Sequence, residues 1–306
     1  MKTKFLYIIK NPITIFNYLV NKNRVIWIDG YPHTKNFGDA LTTPLVEFLS
    51  EKKVLPSKNI SRFLFNLFQF DNYAVIGSIL QWSKKNSIVW GAGFISPTKT
   101  FYKPKEVLAV RGPLSRKIFL ENAIDCPEVY GDPALILPLI YYPKIEKKYK
   151  YGIIPHYYDF NHEWVNSMKN QKDVLVIDLM VYTDYQLVVN QILSCEKILS
   201  TSLHGVIVSD AYKVPNIHIS ISDKVMGSEF KFEDYYQSVG KKGEITVNPI
   251  GLDLDSLYFS SSTIKINLEK LINACPFITS KKREYLVNKL KTDSWFEHLN
   301  NSENEN

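Results

Sequence analysis

From Val25 onward, short apolar runs rich in Val, Ile, Leu and Trp alternate with longer stretches whose apolar positions recur at helical spacing. That alternation predicts parallel strands joined by crossover helices. In the first half it puts strands at 25–29, 73–76, 87–90, 107–110 and 128–130, and helices at 39–52, at 113–122 and, in short form, from Pro133. The stretch 141–150 is rich in Tyr, Pro and Lys and has no period, which predicts a boundary. The alternation then restarts with strands at 150–155, 174–179, 197–201 and 216–219 and helices at 162–169, 184–195 and 203–212, with two further helices near 266–274 and 281–291.

Two rounds of the pattern predict an α/β fold of two Rossmann-like doubly wound domains facing a central cleft. Their expected bounds are 25–145 and 146–265, followed by C-terminal helices over 266–300 and a frayed end at 301–306. At 306 residues and 45% hydrophobic, the chain is long and apolar enough for each half to have a core. In such sheets a ligand sits beyond the carboxyl ends of the strands.

Residues 1–24 break the pattern. Aromatic and aliphatic side chains between Phe5 and Val20 are flanked by Lys2, Lys4, Lys22 and Arg24 and interrupted by Lys10, Asn11 and Pro12. The interruption excludes a single membrane-spanning helix, and no small-residue cleavage site follows. Two readings stay open: an interfacial segment resting on the membrane, or a helix packed on the body of the protein.

Charge and cysteines narrow the chemistry. The net charge of +6 suits an anionic substrate or membrane surface. Basic residues come in short runs such as Lys147-Lys148 and Lys281-Lys282-Arg283, without the clustering of a nucleic-acid footprint. The three cysteines form no CxxC pair, and the six histidines show no HxxxH spacing, so no protein-held metal is expected. Sparse cysteines fit a reducing, cytoplasmic setting.

Four strings stand where strands end. In Asn36-Phe37-Gly38-Asp39-Ala40-Leu41 the small and polar residues suit a turn and helix cap; the same loop would face the cleft, with Asn36 and Gly38 at an acceptor and Asp39 as ligand or base for its hydroxyls. In Val110-Arg111-Gly112-Pro113-Leu114-Ser115, Arg111 stands at the mouth of a helix, where an anion is favoured; its partner is either an anionic ligand or a nearby carboxylate. In Gly131-Asp132-Pro133, Asp132 reads as an N-cap. In Ser200-Thr201-Ser202-Leu203-His204-Gly205, a buried strand runs into a helix that opens with His204. Its first-turn amides would hold phosphate, and His204 would donate a proton. His156, after the first strand of the second half, would also face the cleft, and Lys231 offers a second anion ligand or a solvated loop position. Gly91-Ala92-Gly93 lacks the third glycine and the acidic partner of a dinucleotide site.

Together and in this order, the strings resemble the polysaccharide pyruvyl transferase family over roughly residues 25–240. The match rests on 36–41, 90–94, 110–115, 131–135, 154–157, 202–205, 208–215 and 231–236. One departure is Gly77-Ser78-Ile79-Leu80, where members often carry a Gly-rich turn. The resemblance implies two Rossmann-like domains of the GT-B type and phosphoenolpyruvate as donor, without a cofactor. It also implies transfer of pyruvate as a ketal onto two hydroxyls of a sugar or lipid-linked oligosaccharide in surface polysaccharide synthesis. Arg111, Ser202, Leu203, Gly205 and Lys231 then fall on the donor side, Asn36, Gly38 and His156 on the acceptor side, and His204 and Asp39 at the chemistry. A glycosyltransferase using a nucleotide-sugar on the same architecture remains the alternative.

Overall fold

The computed structural model describes residues 25–29, 37–57, 70–180, 184–259 and 263–299. The segment 1–24, Asn36 and the end at 301–306 lie outside the described residues. Strands β1 (Val25–Ile28), β2 (Lys53–Pro56), β3 (Asn72–Ala74), β4 (Ser87–Trp90) and β5 (Glu106–Ala109) form a parallel sheet in the order β2-β1-β3-β4-β5. A second parallel sheet, in the order β7-β6-β8-β9, is made of β6 (Tyr149–Ile154), β7 (Val174–Val176), β8 (Cys195–Ser200) and β9 (Asn216–His218). Each order reverses beside its first strand, between β1 and β3 and between β6 and β8. A crevice opens at the carboxyl end of each reversal, because the flanking crossovers leave in opposite directions.

The helices are α1 (Phe37–Ser50), α2 (Pro113–Glu121), α3 (Glu163–Met168), α4 (Tyr185–Leu193), α5 (Leu203–Ala211), α6 (Ser228–Ser238), α7 (Leu268–Asn273) and α8 (Ser280–Thr292). Their caps follow from local chemistry. Asp184, Asn267 and Thr279 accept first-turn amides with their side chains, and Pro113 opens α2 with its φ already suited to a helix.

Three elements depart from the sequence expectation. β2 forms directly after the expected helix 39–52, where no element was expected; it pairs only with β1, and an edge position tolerates Pro56. The expected strand at 128–130 reduces to one bridge between Tyr130 and Val110. Pro127 cannot donate to a ladder, and Gly131, at φ +130°, turns the chain away immediately after it. Helix α6 arises in a stretch without helical periodicity, because it buries Lys231 and Asp234 along with Phe232, Tyr235 and Tyr236.

Burial alternates along the strands as the pleat requires. Val89, Ile153 and Leu199 point to outer clusters, one per sheet, whereas Trp90, Ile154 and Ile198 point to a shared inner cluster. That inner cluster joins α1 and the 3-10 helix Pro133–Leu139 to α4, α5 and the C-terminal helices. The C-terminal helices close back on the first sheet. Trp90 Nε1 donates to the Leu271 carbonyl at 2.8 Å, and Phe277 meets the Trp90 ring edge-on at 5.4 Å. No helix among the described residues is long and apolar enough to cross a membrane.

Candidate active site

A cavity of 420 Å³ opens at the carboxyl ends of both sheets. The first half lines it with Asp39, Gly77, Ser78, Ile79, Trp82 and Ile95, and the second with His156, Tyr157, Ser202, Leu203, His204, Met226 and Lys231. Both strand-order reversals therefore contribute to one site.

The turn after β8 is shaped by its own hydroxyls. Ser200 Oγ donates to the carbonyl of Ser202 at 2.8 Å and accepts from the Ser202 amide at 3.0 Å, which sets the entry into α5. Thr201 Oγ1 accepts from the His156 amide at 2.7 Å and ties the two cleft-facing loops of the second sheet together. The Ser202 side chain does not cap α5. The positive end of that helix therefore meets the cavity, which Ser202, Leu203 and His204 line. Gly205 faces inward, against Ser200 and Ile154, and has a packing place rather than a cavity place.

His204 is nearly enclosed, at 7% exposure. Its Nε2 stands 3.4 Å from Oδ2 of Asp132, a residue with no exposed surface. On its other side the imidazole lies against Gly38 in the first turn of α1, where any Cβ would overlap the ring. Gly38 is thus needed for close approach, so the first half supplies the wall against which the histidine rests. Asp39, next in α1, lines the cavity beside Gly77; a Cβ at Gly77 would stand 2.8 Å from Asp39 Oδ1. Asn36, expected beside them, lies outside the described residues.

Arg111 takes the second of its two expected partners. It is fully buried and absent from the cavity lining. Its Nε donates to Asp234 Oδ2 at 3.0 Å, its Nη1 to Ser78 Oγ at 2.6 Å and its Nη2 to the Phe94 carbonyl at 2.7 Å. Asp234 also accepts from the Ser115 amide at 2.8 Å and the Ser115 hydroxyl at 2.7 Å. The anion at the mouth of α2 is thus a carboxylate of the protein. Ser78, which lines the cavity, is the link from Arg111 to the site.

Lys231 is the buried cation that does reach the cavity, at 6% exposure with Nζ donating to the Met226 carbonyl at 3.0 Å. Burial, and then repulsion from Arg111, bring its pKa down to about 8 against the opposing pull of Asp159. His156 is lowered to about 4 and His218 to about 3, in each case by burial first and by Lys231 second. His218 stacks on Phe232 at 3.5 Å. Tyr157 rises to about 12 through burial, then its bond to Tyr158, then Asp39. The pattern is one buried lysine beside two imidazoles that burial keeps neutral.

Sequence reasoning singled out His204, Asp39, His156, Lys231, Ser202 and Leu203, all of which line the cavity. It missed Ser78, Trp82 and Tyr157, and the placement of Asp132 beside His204. Ser78 sits in the turn that departs from the family pattern, and Gly77, at φ +112°, keeps that turn tight. Trp82, 60% exposed, and Tyr157, 41% exposed, carry a signal only once the cavity shows where they stand. Among the described residues no group of three or more His, Cys, Asp or Glu is arranged to hold a metal ion.

Comparison with known proteins adds to this geometry. The family model for polysaccharide pyruvyl transferase matches residues 3–223. An uncharacterized protein of Acanthamoeba polyphaga mimivirus, L143, is 30% identical over 235 residues, covering 72% of this chain and 77% of that protein. A solved structure of a functionally uncharacterized protein from Klebsiella pneumoniae is 10% identical and covers 76% of this chain and 96% of its own, at a TM-score of 0.44.

Proposed function

The chain belongs to the polysaccharide pyruvyl transferase family, and on that premise we propose that it moves pyruvate from phosphoenolpyruvate onto two hydroxyls of one sugar in a bacterial surface polysaccharide or its precursor. One observation carries the reading. His204, the open end of α5, Lys231 and Asp39 share a single cavity fed by both sheets. We read the sheets as a GT-B-like pair, with the acceptor on the side of residues 25–145, the donor on the side of 146–265, and the enzyme at work in the cytoplasm.

In this reading the first-turn amides of α5 and Lys231 hold the phosphate and carboxylate of the donor. His204 protonates the methylene carbon of the enol phosphate, which leaves an oxocarbenium-like centre at C2. One sugar hydroxyl attacks that centre, the C2–O bond to phosphate breaks, and the second hydroxyl closes the ketal. Two hydroxyl protons are released: one restores His204 and the other leaves with phosphate. Asp39 is the carboxylate that receives hydroxyl protons in passing. Arg111 acts from behind, holding Ser78 at the cavity wall. Trp82 and Tyr157 offer aromatic faces for the apolar side of a pyranose.

Incubation of the purified enzyme with phosphoenolpyruvate and a panel of pyranosides tests the reading. Release of phosphate with a product heavier by one pyruvate ketal is the expected result. Turnover of a nucleotide-sugar, with phosphoenolpyruvate inert, would assign the cavity to glycosyl transfer instead.

A further inference from the structure

Asp132 ends the loop after α2 and caps the 3-10 helix Pro133–Leu139, with Oδ1 accepting from the Ala134 amide at 2.9 Å. One oxygen is enough for that cap. The other, Oδ2, is buried without a hydrogen-bond partner among the described residues, and so is His204 Nε2, 3.4 Å away. Two buried polar atoms left open are costly apart, and here each is the other's ionic neighbour. They come from different sheets: Asp132 follows the first, and His204 opens the helix after β8. α5 packs against the 3-10 helix that Asp132 caps, so the pair lies at the seam between the halves.

We propose that Asp132 is the positioning residue for His204, its Oδ2 accepting from Nε2–H so that Nδ1 is the nitrogen that exchanges a proton with the donor in the cavity. The inference rests on the reading of His204 as the acid. The 3.4 Å separation closes to a short hydrogen bond when the ring carries both protons, because the Nε2–H of an imidazolium is a stronger, charge-assisted donor to the carboxylate than that of the neutral ring. A carboxylate aligned on the far nitrogen fixes the tautomer and the ring plane, and it stabilises the charged form that forms during turnover. The positive ends of α1 and α5 both face this ring and oppose that charge. Asp132 is the acidic group set against it. The two halves must be packed together for the pair to exist.

Asp132→Asn separates this role from capping, since Asn caps a helix as well as Asp does. Asp132→Asn, His204→Asn and the double variant are assayed with phosphoenolpyruvate and whichever pyranoside turns over in the panel above. Asp132→Asn is expected to keep its melting temperature and a donor KM within a few-fold of wild type, while kcat falls on the order of 10²-fold or more. Adding it to His204→Asn should cost nothing further. Wild-type kcat in Asp132→Asn alongside an impaired His204→Asn overturns the positioning role. Wild-type turnover in His204→Asn overturns the acid reading itself. A third measurement needs neither variant nor substrate. Imidazole nitrogen shifts in the resting wild-type protein should give His204 as the Nε2–H tautomer, and an Nδ1–H tautomer overturns the proposal.

Discussion

Of the histidines at the cavity, His156 has its protonation state set by its surroundings. His156, lowered to about 4 by burial and then by Lys231, is neutral across the physiological range and has no proton to give there. In the proposed reaction it serves as a neutral partner for a substrate group, and His204 is the acid. Lys231 carries a prediction with a definite sign. Its pKa of about 8 means that the free site holds a cation below pH 8 and loses it above. The phosphate of phosphoenolpyruvate is already fully ionised from about pH 7, so the donor dissociation constant should be flat to pH 8 and rise beyond it. Lys231→Met should bind about tenfold to a hundredfold more weakly, the loss of one charge-assisted hydrogen bond, and show no inflection at pH 8. Titration calorimetry from pH 7 to 9 checks both, and an inflection that survives in Lys231→Met would remove the lysine from the donor site. His204 was legible in the sequence because chemistry and turn context coincided, whereas Lys231 was left as an anion ligand or a solvated loop position until its burial on α6 placed it at the cavity. The second oxygen of Asp132 was not, because a cap satisfies everything the local sequence shows of it.

Helix α6 shows what happens when an element is held by charge as well as by apolar packing. It was invisible to periodicity because Lys231 and Asp234 face inward, the first to the cavity and the second to Arg111 and Ser115. Gly112 lets its backbone come in against the mouth of α2; any Cβ there would overlap the Asp234 carbonyl. The Arg111 string was legible as a cation at a helix mouth. Which of its two partners it takes depends on Asp234, more than a hundred residues away in sequence. Since both charges have no exposed surface, removing one strands the other. Asp234→Ala should therefore destabilise the protein by about 3–5 kcal/mol, and Arg111→Ala should do the same. Replacing both should recover part of that loss, as removal of a whole buried pair does. Denaturant midpoints measure the cycle. Single variants as stable as wild type, but impaired in donor binding, would return Arg111 to the donor.

At the scale of the whole molecule, the break at 141–150 was legible as a change in composition; residues 141–148 lie between the two sheets, and β6 opens at Tyr149. What the sequence could not convey is what covers each apolar face. Alternation along β6 tells which of Ile153 and Ile154 shares a side with its neighbours, and nothing about the element packed upon it. The structure gives the inner faces of both sheets one continuous apolar cluster, from Ile28 and Leu41 through Leu135 and Ile136 to Ile198, Val206 and Leu271. Tyr141, within the break itself, donates to Asn190 Oδ1 at 2.9 Å, and its carbonyl accepts from the Tyr212 hydroxyl at 2.5 Å, so the connection is bound to the second half. A shared core makes the stability of each half depend on the other. The chain should therefore unfold in one cooperative transition, with calorimetric and van't Hoff enthalpies in agreement and with tryptophan fluorescence and far-ultraviolet dichroism giving the same midpoint. Two separated transitions would mean that the halves melt as units and that the cleft is a hinge. His204 would then lose both its Gly38 wall and its Asp132 neighbour whenever the hinge opened, and activity would vanish at the lower transition, before the second half unfolded.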